Sequence, residues 1–442
     1  MASPSRFRRL LAQPLVRDYG MFAVLLLLVV LFSVLTFSNQ IPTGAEAGRR
    51  VADDAAALVQ DGGVLVVGGS SAADDVFTRS AAEALESRGV PVVAVVNGSA
   101  RDARKAMETA AETNRLIDAV AATGAAAKWT VYERFDLRPE VIVTPRAVRW
   151  PVFLKRSNLL SVANQTAIYA IIAIGMTMVI ITAGIDLSVG SLVALAAVAA
   201  ALFLRDVGGG TGGGVGAVVA GTLIGVAVCG LAGAFNGLLV TWFGVPSFIA
   251  TLGMMMMASG LAFRLSDGRS IDALPPAFFW LGRGQTLGIP NPVVVMVVLY
   301  LLAHFVMSRT VFGRYIYALG GNPEAARLSG VRTSRVLVAV YVISGALAGL
   351  GGVMLASQLG AGDPKFGQMY ELDVIAAVVV GGTSLLGGQG KIFGTLIGAF
   401  IIAVIKNGMN LTNVDPFNQR IALGAVLTAA VLLDTLKRRT TG

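Results

Sequence analysis

Among 442 residues there is one cysteine, Cys229, and one histidine, His304. A single thiol cannot build a disulfide framework, and neither residue has the companions that a zinc site or a histidine-based catalytic pair requires. Charge is scarce as well, with Asp, Glu, Lys and Arg at 14% against roughly 25% in an ordinary soluble domain. That argues against a cytosolic enzyme, and 55% hydrophobic residues argue against disorder. A phosphate-binding loop is also missing: Gly390-Lys391 is followed by Ile392 rather than Ser or Thr, and Leu385 stands where the motif needs Gly. The chain is therefore not expected to hydrolyse ATP itself, and no catalytic residue, metal or cofactor is expected.

What the chain has instead is long apolar runs and a mean hydropathy of +0.73. Met21–Phe37 is the first run and follows a basic tail, residues 1–20, with Arg6, Arg8, Arg9 and Arg17. Ala45-Glu46-Ala47 offers a signal-peptidase-like site, yet the run is long for a signal sequence and the site lies well beyond it, so an uncleaved anchor is favoured. Further spans are read at 162–182, 188–204, 214–238, 246–263, 291–308, 336–357, 373–388, 392–410 and 420–436. About ten transmembrane helices follow, nine of them in a membrane domain at 159–436. The Pro/Gly-rich stretch 274–292 leaves room for a re-entrant segment. Basic residues gather in the N-terminal tail, in a loop at 309–335 (Arg309, Arg314, Arg327, Arg332, Arg335) and in the tail 437–442. The positive-inside rule puts these three on the cytoplasmic side, the parity of ten crossings agrees, and residues 38–158 are then extracytoplasmic. The basic groups lack interleaved aromatics, so nucleic acid is not an expected partner; membrane lipid is.

Residues 41–150 are different material, holding 15 acidic and 13 basic side chains against 11 and 22 in the remainder. Val64–Val67 and Val90–Val96 read as strands, Phe77, Ala81 and Leu85 recur at helical spacing, and Ala100–Thr123 reads as one long Ala-rich helix. Val141–Val143 is a third strand. This order predicts a small soluble α/β domain with a parallel sheet, inserted after the first membrane helix of an otherwise all-α polytopic protein. Gly68-Gly69-Ser70-Ser71 lacks the spacing of a dinucleotide fingerprint.

Within the apolar runs, glycine is frequent, and Gly345/Gly349 and Gly394/Gly398 form G-x-x-x-G pairs suited to close packing inside a bundle. Asp186 stands nearly alone as an ionisable residue between spans. Two roles are open for it, and they are compatible: a functional group facing a cavity or a partner, or a cap on the following helix. Asn236, Thr251, Thr383, Ser384 and Asn407 join Asp186 as candidate functional residues, being polar within or beside apolar runs. Met254–Met257 reads as packing. In the 309–335 loop, Gly321-Asn322 signals a turn, and Pro323 and Glu324 suit a first helical turn, predicting a short helix on the basic side.

Four segments carry a family resemblance: AGIDLSVGS at 183–191, VPSFIATLG at 245–253, ALGGNPEAARLSGV at 318–331 and ELDVIAAVVVGGTSLLGG at 371–388. They are similar to the permease subunits of bacterial ABC importers for ribose, galactose, xylose and related simple sugars. The resemblance covers the anchor and residues 152–436. It implies a homodimeric permease in the inner membrane, a cytoplasmic ABC ATPase that binds the ATP, and a periplasmic sugar-binding protein. It also implies that Gly321, Asn322, Pro323, Glu324, Ala325, Ala326 and Arg327 form the coupling segment that docks into the ATPase. Two departures stand out: Ala183 replaces the usual first glycine, and the insert is foreign to family members of ordinary length. The insert's element order resembles one lobe of a periplasmic sugar-binding protein, leaving a tethered receptor and a docking or protective domain both open. Nucleosides or branched-chain amino acids on the same fold are the alternative cargo. An ion-coupled carrier would need paired ionisable residues midway across the spans.

Overall fold

Amides in hydrocarbon have no water to bond, so apolar segments close their hydrogen bonds within helices. In the computed structural model, which describes residues 14–439, this is where the apolar runs go. The basic tail through residue 13 and residues 440–442 of the C-terminal tail lie outside the described residues. The chain forms two compact units: one runs up to Thr36 and resumes at Val152, and the other is Phe37–Pro151. Helix α1 (Pro14–Leu35) leads in; the expected anchor ends there, because Phe37 already belongs to strand β1 (Phe37–Gln40).

The inserted unit continues through α2 (Ala45–Ala56), β2 (Gly63–Gly68), α3 (Ala72–Glu86), β3 (Val92–Asn97), α4 (Ala100–Glu112), β4 (Ile117–Ala122), β5 (Ile142–Val143) and β6 (Val148–Pro151). Strands β3-β2-β4-β5 make one parallel sheet, and β1 pairs antiparallel with β6, Phe37 opposite Pro151. Helices α2 and α3 cover one face, where Val51, Phe77 and Leu85 meet Val64 and Val66. Ala103 and Met107 of α4 cover the other, against Leu65 and Val67. The long helix expected over 100–123 is corrected: α4 stops at Glu112, Asn114 turns the chain at φ 54°, and the rest is a strand. Local propensity favours helix for that Ala-rich sequence, but Ala119–Ala122 lies beside the wholly buried β2, and ladder bonds there satisfy amides that no water reaches.

The membrane unit comprises α5 (Arg156–Ile181), α6 (Val189–Asp206), α7 (Val215–Trp242), α8 (Ser247–Leu265), the short α9 (Phe279–Arg283), a small hairpin of β7 (Gln285–Thr286) and β8 (Ile289–Pro290), α10 (Asn291–Arg309), α11 (Val311–Gly321), α12 (Pro323–Leu328), α13 (Thr333–Leu359), α14 (Tyr370–Val380), α15 (Ile392–Leu411) and α16 (Pro416–Arg439). Among the described residues, seven helices are long and apolar enough to cross a membrane: α5, α6, α7, α8, α10, α13 and α15. Gly20–Leu35 of α1 is a shorter apolar stretch. The protein is thus a polytopic helical membrane protein. The expectation of a continuous span at 373–388 is corrected. Helix α14 has 11 residues, about 16 Å at 1.5 Å per residue, roughly half a bilayer core, and turns follow it from Gly381.

Helix α13 is central, packing along α5, α6 and α7. Its Gly345 and Gly349 lie against Cys229 and Gly225 of α7, while Gly394 and Gly398 of α15 lie against Gly381 and Ala377. A Cβ on Gly345 would overlap the Cys229 carbonyl oxygen. Both G-x-x-x-G pairs therefore serve packing inside the chain. Leu223 and Leu231 of α7 and Val298, Leu302 and Phe305 of α10 are exposed, as lipid-facing side chains are.

Candidate functional site

Helix α5 breaks after Ile181, and α6 begins at Val189. Ala183 turns the chain at φ 61°, the left-handed conformation that a glycine would adopt without strain. The segment between the two helices exposes backbone amides in an apolar surrounding, and the other motif segments supply their partners. Thr251 Oγ1 accepts from the Leu187 amide at 3.2 Å, and Ser247 Oγ accepts from the Ile185 amide at 3.3 Å. The Gly388 amide donates to the Ile181 carbonyl at 2.9 Å. Gly320 packs so closely on that carbonyl that a Cβ would occupy the same space. All four motif segments thus converge on one broken-helix joint.

At its centre Asp186 is fully buried. Oδ1 accepts from the Ser188 amide at 3.0 Å and from Ser188 Oγ at 2.6 Å, and Oδ2 accepts from Ser344 Oγ of α13 at 2.9 Å. Asn236 Nδ2 of α7 donates to Ser188 Oγ at 3.2 Å, while its buried Oδ1 has no partner in the structure. The carboxylate closes a turn onto the residue preceding α6 rather than capping the helix amides themselves. The carboxyl group is held here by uncharged partners alone, an arrangement that fixes one geometry of the joint.

The six polar residues singled out from sequence fall into three places. Asp186, Asn236 and Thr251 meet at the joint. Thr383 and Ser384 lie in the turn after α14, where Ser384 Oγ accepts from the Leu386 amide at 3.1 Å and the buried Thr383 Oγ1 has no partner in the structure. Asn407 is elsewhere, in a reciprocal amide pair with Asn158 at 3.0 and 2.9 Å that ties α15 to the start of α5.

The short helix expected on the basic side is α12. Asn322 caps it, Oδ1 accepting from the Ala325 amide at 3.0 Å; Pro323 takes the first helical position. Glu324 and Arg327 pair at 2.7 Å on the exposed face, Ala326 is buried, and Leu328 is 78% exposed. Gly321 has open space around it. The preceding helix α11 reaches the joint: Tyr317 Oη donates to the Gly390 carbonyl at 2.8 Å, two residues beyond the Gly388 amide bonded to Ile181.

Sequence reading missed one further feature. A cavity of about 610 Å³ lies among α5, α14, α15 and α16, lined by Tyr169, Tyr370, Asp373, Lys406, Asn410 and Gln419 among others. Lys406 Nζ and Asp373 Oδ2 pair at 2.5 Å, with side chains 29% and 17% exposed. The Tyr169 and Tyr370 rings stand 4.3 Å apart, and Lys406 Nζ lies 5.2 Å from the Tyr169 centroid. Asp186 is therefore not nearly alone. The signal was available, because Asp373 and Lys406 each interrupt an apolar run, but only the fold shows that the two charges meet.

Comparison with known proteins agrees with this architecture. Residues 158–433 match the family described as branched-chain amino acid transport system, permease component. The ribose import permease protein of Escherichia coli is 41% identical over 315 residues, covering 70% of this chain and 95% of the relative. That of Bacillus subtilis is 44% identical over 289 residues, covering 65% and 87%. The D-allose transport system permease protein of Escherichia coli is 35% identical over 308 residues, covering 70% and 92%. No solved structure matches. A polytopic fold whose four motif segments meet at one joint, together with these matches, makes the chain a member of this permease family, a transport subunit and not an enzyme.

Proposed function

We propose that the chain is the transmembrane permease subunit of an ATP-driven importer for a simple sugar, a pentose or hexose. In this reading it works as a homodimer in the inner membrane, coupled to a separate cytoplasmic ABC ATPase and supplied by a periplasmic sugar-binding protein. One observation carries the mechanical part. The exposed α12 is joined through α11 to the α5–α6 joint by the Tyr317–Gly390 bond and the Gly320–Ile181 contact. A partner that pulls α12 on binding ATP moves that joint, shifting the population between inward-open and outward-open states. The 321–327 segment is then the ATPase dock, with Leu328 an added apolar contact.

Ten crossings remain consistent with this fold if α14 and the turns after it cross together and α1 and α16 each span once. The basic 309–335 loop and both termini are then cytoplasmic and the inserted unit extracytoplasmic. Asp186, Asn236, Thr251, Thr383, Ser384 and Asn407 border the route, with the Asp186 knot bracing it. The relatives named as sugar permeases favour sugar over nucleosides or branched-chain amino acids, and family membership disfavours an ion-coupled carrier.

Vesicles containing the chain, its ATPase and its binding protein test this with D-ribose, D-xylose, D-allose, adenosine and leucine. ATP-dependent, saturable uptake of one of the sugars is expected. Uptake of adenosine or leucine alone overturns the cargo assignment.

A further inference from the structure

The cavity beside the Asp373–Lys406 pair is not used by the joint or by the α12 dock. Ionisable residues at membrane depth are costly, and where they persist they face a partner or a polar passage. Here the partner is present, yet the pair borders about 610 Å³ of open space, within the usual range of small-molecule sites. Asp373 and Lys406 offset one another, and the remaining charged lining residue, Arg420, is solvent-exposed and screened by water, so a charged ligand would have to compete with the ion pair. A neutral one would not. The lining also supplies what a polyhydroxylated ring needs: aromatic faces at Tyr169 and Tyr370, an acceptor at Asp373, a donor at Lys406, and amides at Asn410 and Gln419. The amides are partly preset, because Gln419 Nε2 donates to Asn410 Oδ1 at 2.8 Å and to the Val414 carbonyl at 2.9 Å. Arg420 lines the cavity as a solvent-exposed side chain.

We propose that this cavity, framed by Tyr169, Tyr370, Asp373 and Lys406, is a binding station for the neutral sugar on its way through the permease. The assignment rests on the sugar-permease reading above. The packed Tyr169–Tyr370 pair offers its cavity-facing aromatic surface to the C–H face of the ring, and the ion pair exchanges part of its mutual contact for hydroxyl groups without becoming unpaired. Neither tyrosine nor either charge belongs to the six polar residues chosen from sequence, so the station is additional to them.

The test uses the full chain with its ATPase and binding protein in vesicles. Leu372→Cys places an exposed thiol on α14 at the cavity, and the native Cys229 is buried. Maleimide labelling is followed with D-ribose, D-xylose or D-allose present, beside uptake kinetics. The transported sugar is expected to slow labelling about tenfold, and Tyr169→Ala is expected to abolish that protection and raise KM about tenfold, the scale of one lost contact. The charge-swapped pair, Asp373→Lys with Lys406→Asp, restores an ion pair while reversing donor and acceptor. A station predicts that KM stays raised in the swap; a merely structural bridge predicts recovery to the wild-type value. Normal uptake without sugar protection, together with a wild-type KM in the swap, overturns the station while leaving the permease reading intact. Failure of the unmodified vesicles to take up any of the sugars overturns the sugar reading itself, and the station with it.

Discussion

Asp186 shows how much one side chain can hold in a medium without water. Its three donors come from Ser188 and from Ser344, 158 positions away in the chain. Asp186→Ala would leave the Ser188 amide and two hydroxyls without their acceptor. A loss of about 3 kcal/mol in stability is expected, the scale of leaving buried hydrogen-bonding groups without a partner. Thermal unfolding of the detergent-purified chain reads this out, and an unchanged midpoint would show that the knot does not brace the joint. That Asp186 matters was legible from the sequence, since a carboxylate between apolar runs is conspicuous. Its partner was not, because Ser344 looks like any serine in a helix until α13 is placed beside the joint. Asp373 and Lys406 teach the reverse: each was visible as a charge, but a pair exists only once α14 and α15 lie together.

At the scale of elements, strong local signals survived and weak ones did not. Ser99 and Asp102 form a capping box at the start of α4: Asp102 accepts from the Ser99 amide at 2.9 Å and from Ser99 Oγ at 2.7 Å. These bonds from Ser99 hold the Asp102 carboxyl below its ordinary value of 3.8, with Lys105 and Arg101 adding to the effect. A depressed carboxylate stabilises the fold above its unfolded-state value, and the contribution disappears as pH falls through the folded-state value. Hydrogen exchange of the α4 amides should therefore be slower in the wild type than in Asp102→Asn near neutral pH. The ratio between the two proteins should approach unity below about pH 4. A ratio that stays constant across that range rules out the linkage. The far end of the same segment was misread because alanine carries no strong preference against helix. Only the place beside β2 makes 117–122 a strand. In the same way 373–388 read as one full span because its apolar run continues through glycines, whereas α14 stops at Val380 and Gly382 turns the chain at φ 83°.

For the whole molecule, the issue is how an event outside the membrane unit's core reaches it. Glu324 and Arg327 pair with one another on a solvent-facing surface, so their mutual attraction adds little to stability. Reversing both charges keeps that pair in mirrored form and changes only what a docking partner meets. ATP-dependent uptake is expected to fall at least about tenfold while membrane insertion and the unfolding midpoint stay at wild-type values. Undiminished uptake would remove both residues from the dock. The inserted unit stands apart in this scheme: it has its own sheet and two apolar layers, and its architecture is independent of the four motif segments.

Composition and hydropathy were enough to determine that this is a membrane-embedded chain with one stretch of different, more polar composition, because the cost of exposing polar backbone to lipid selects apolar helices whatever their packing. The motif order was enough to point to the permease family. Tertiary structure alone decided that the four motifs share one joint, that α14 is a half-length helix, that Asn407 stays apart from Asp186, and that Asp373 and Lys406 border a cavity. Those facts depend on contacts between residues distant in the chain, and the pattern along any one segment contains no record of what packs against it.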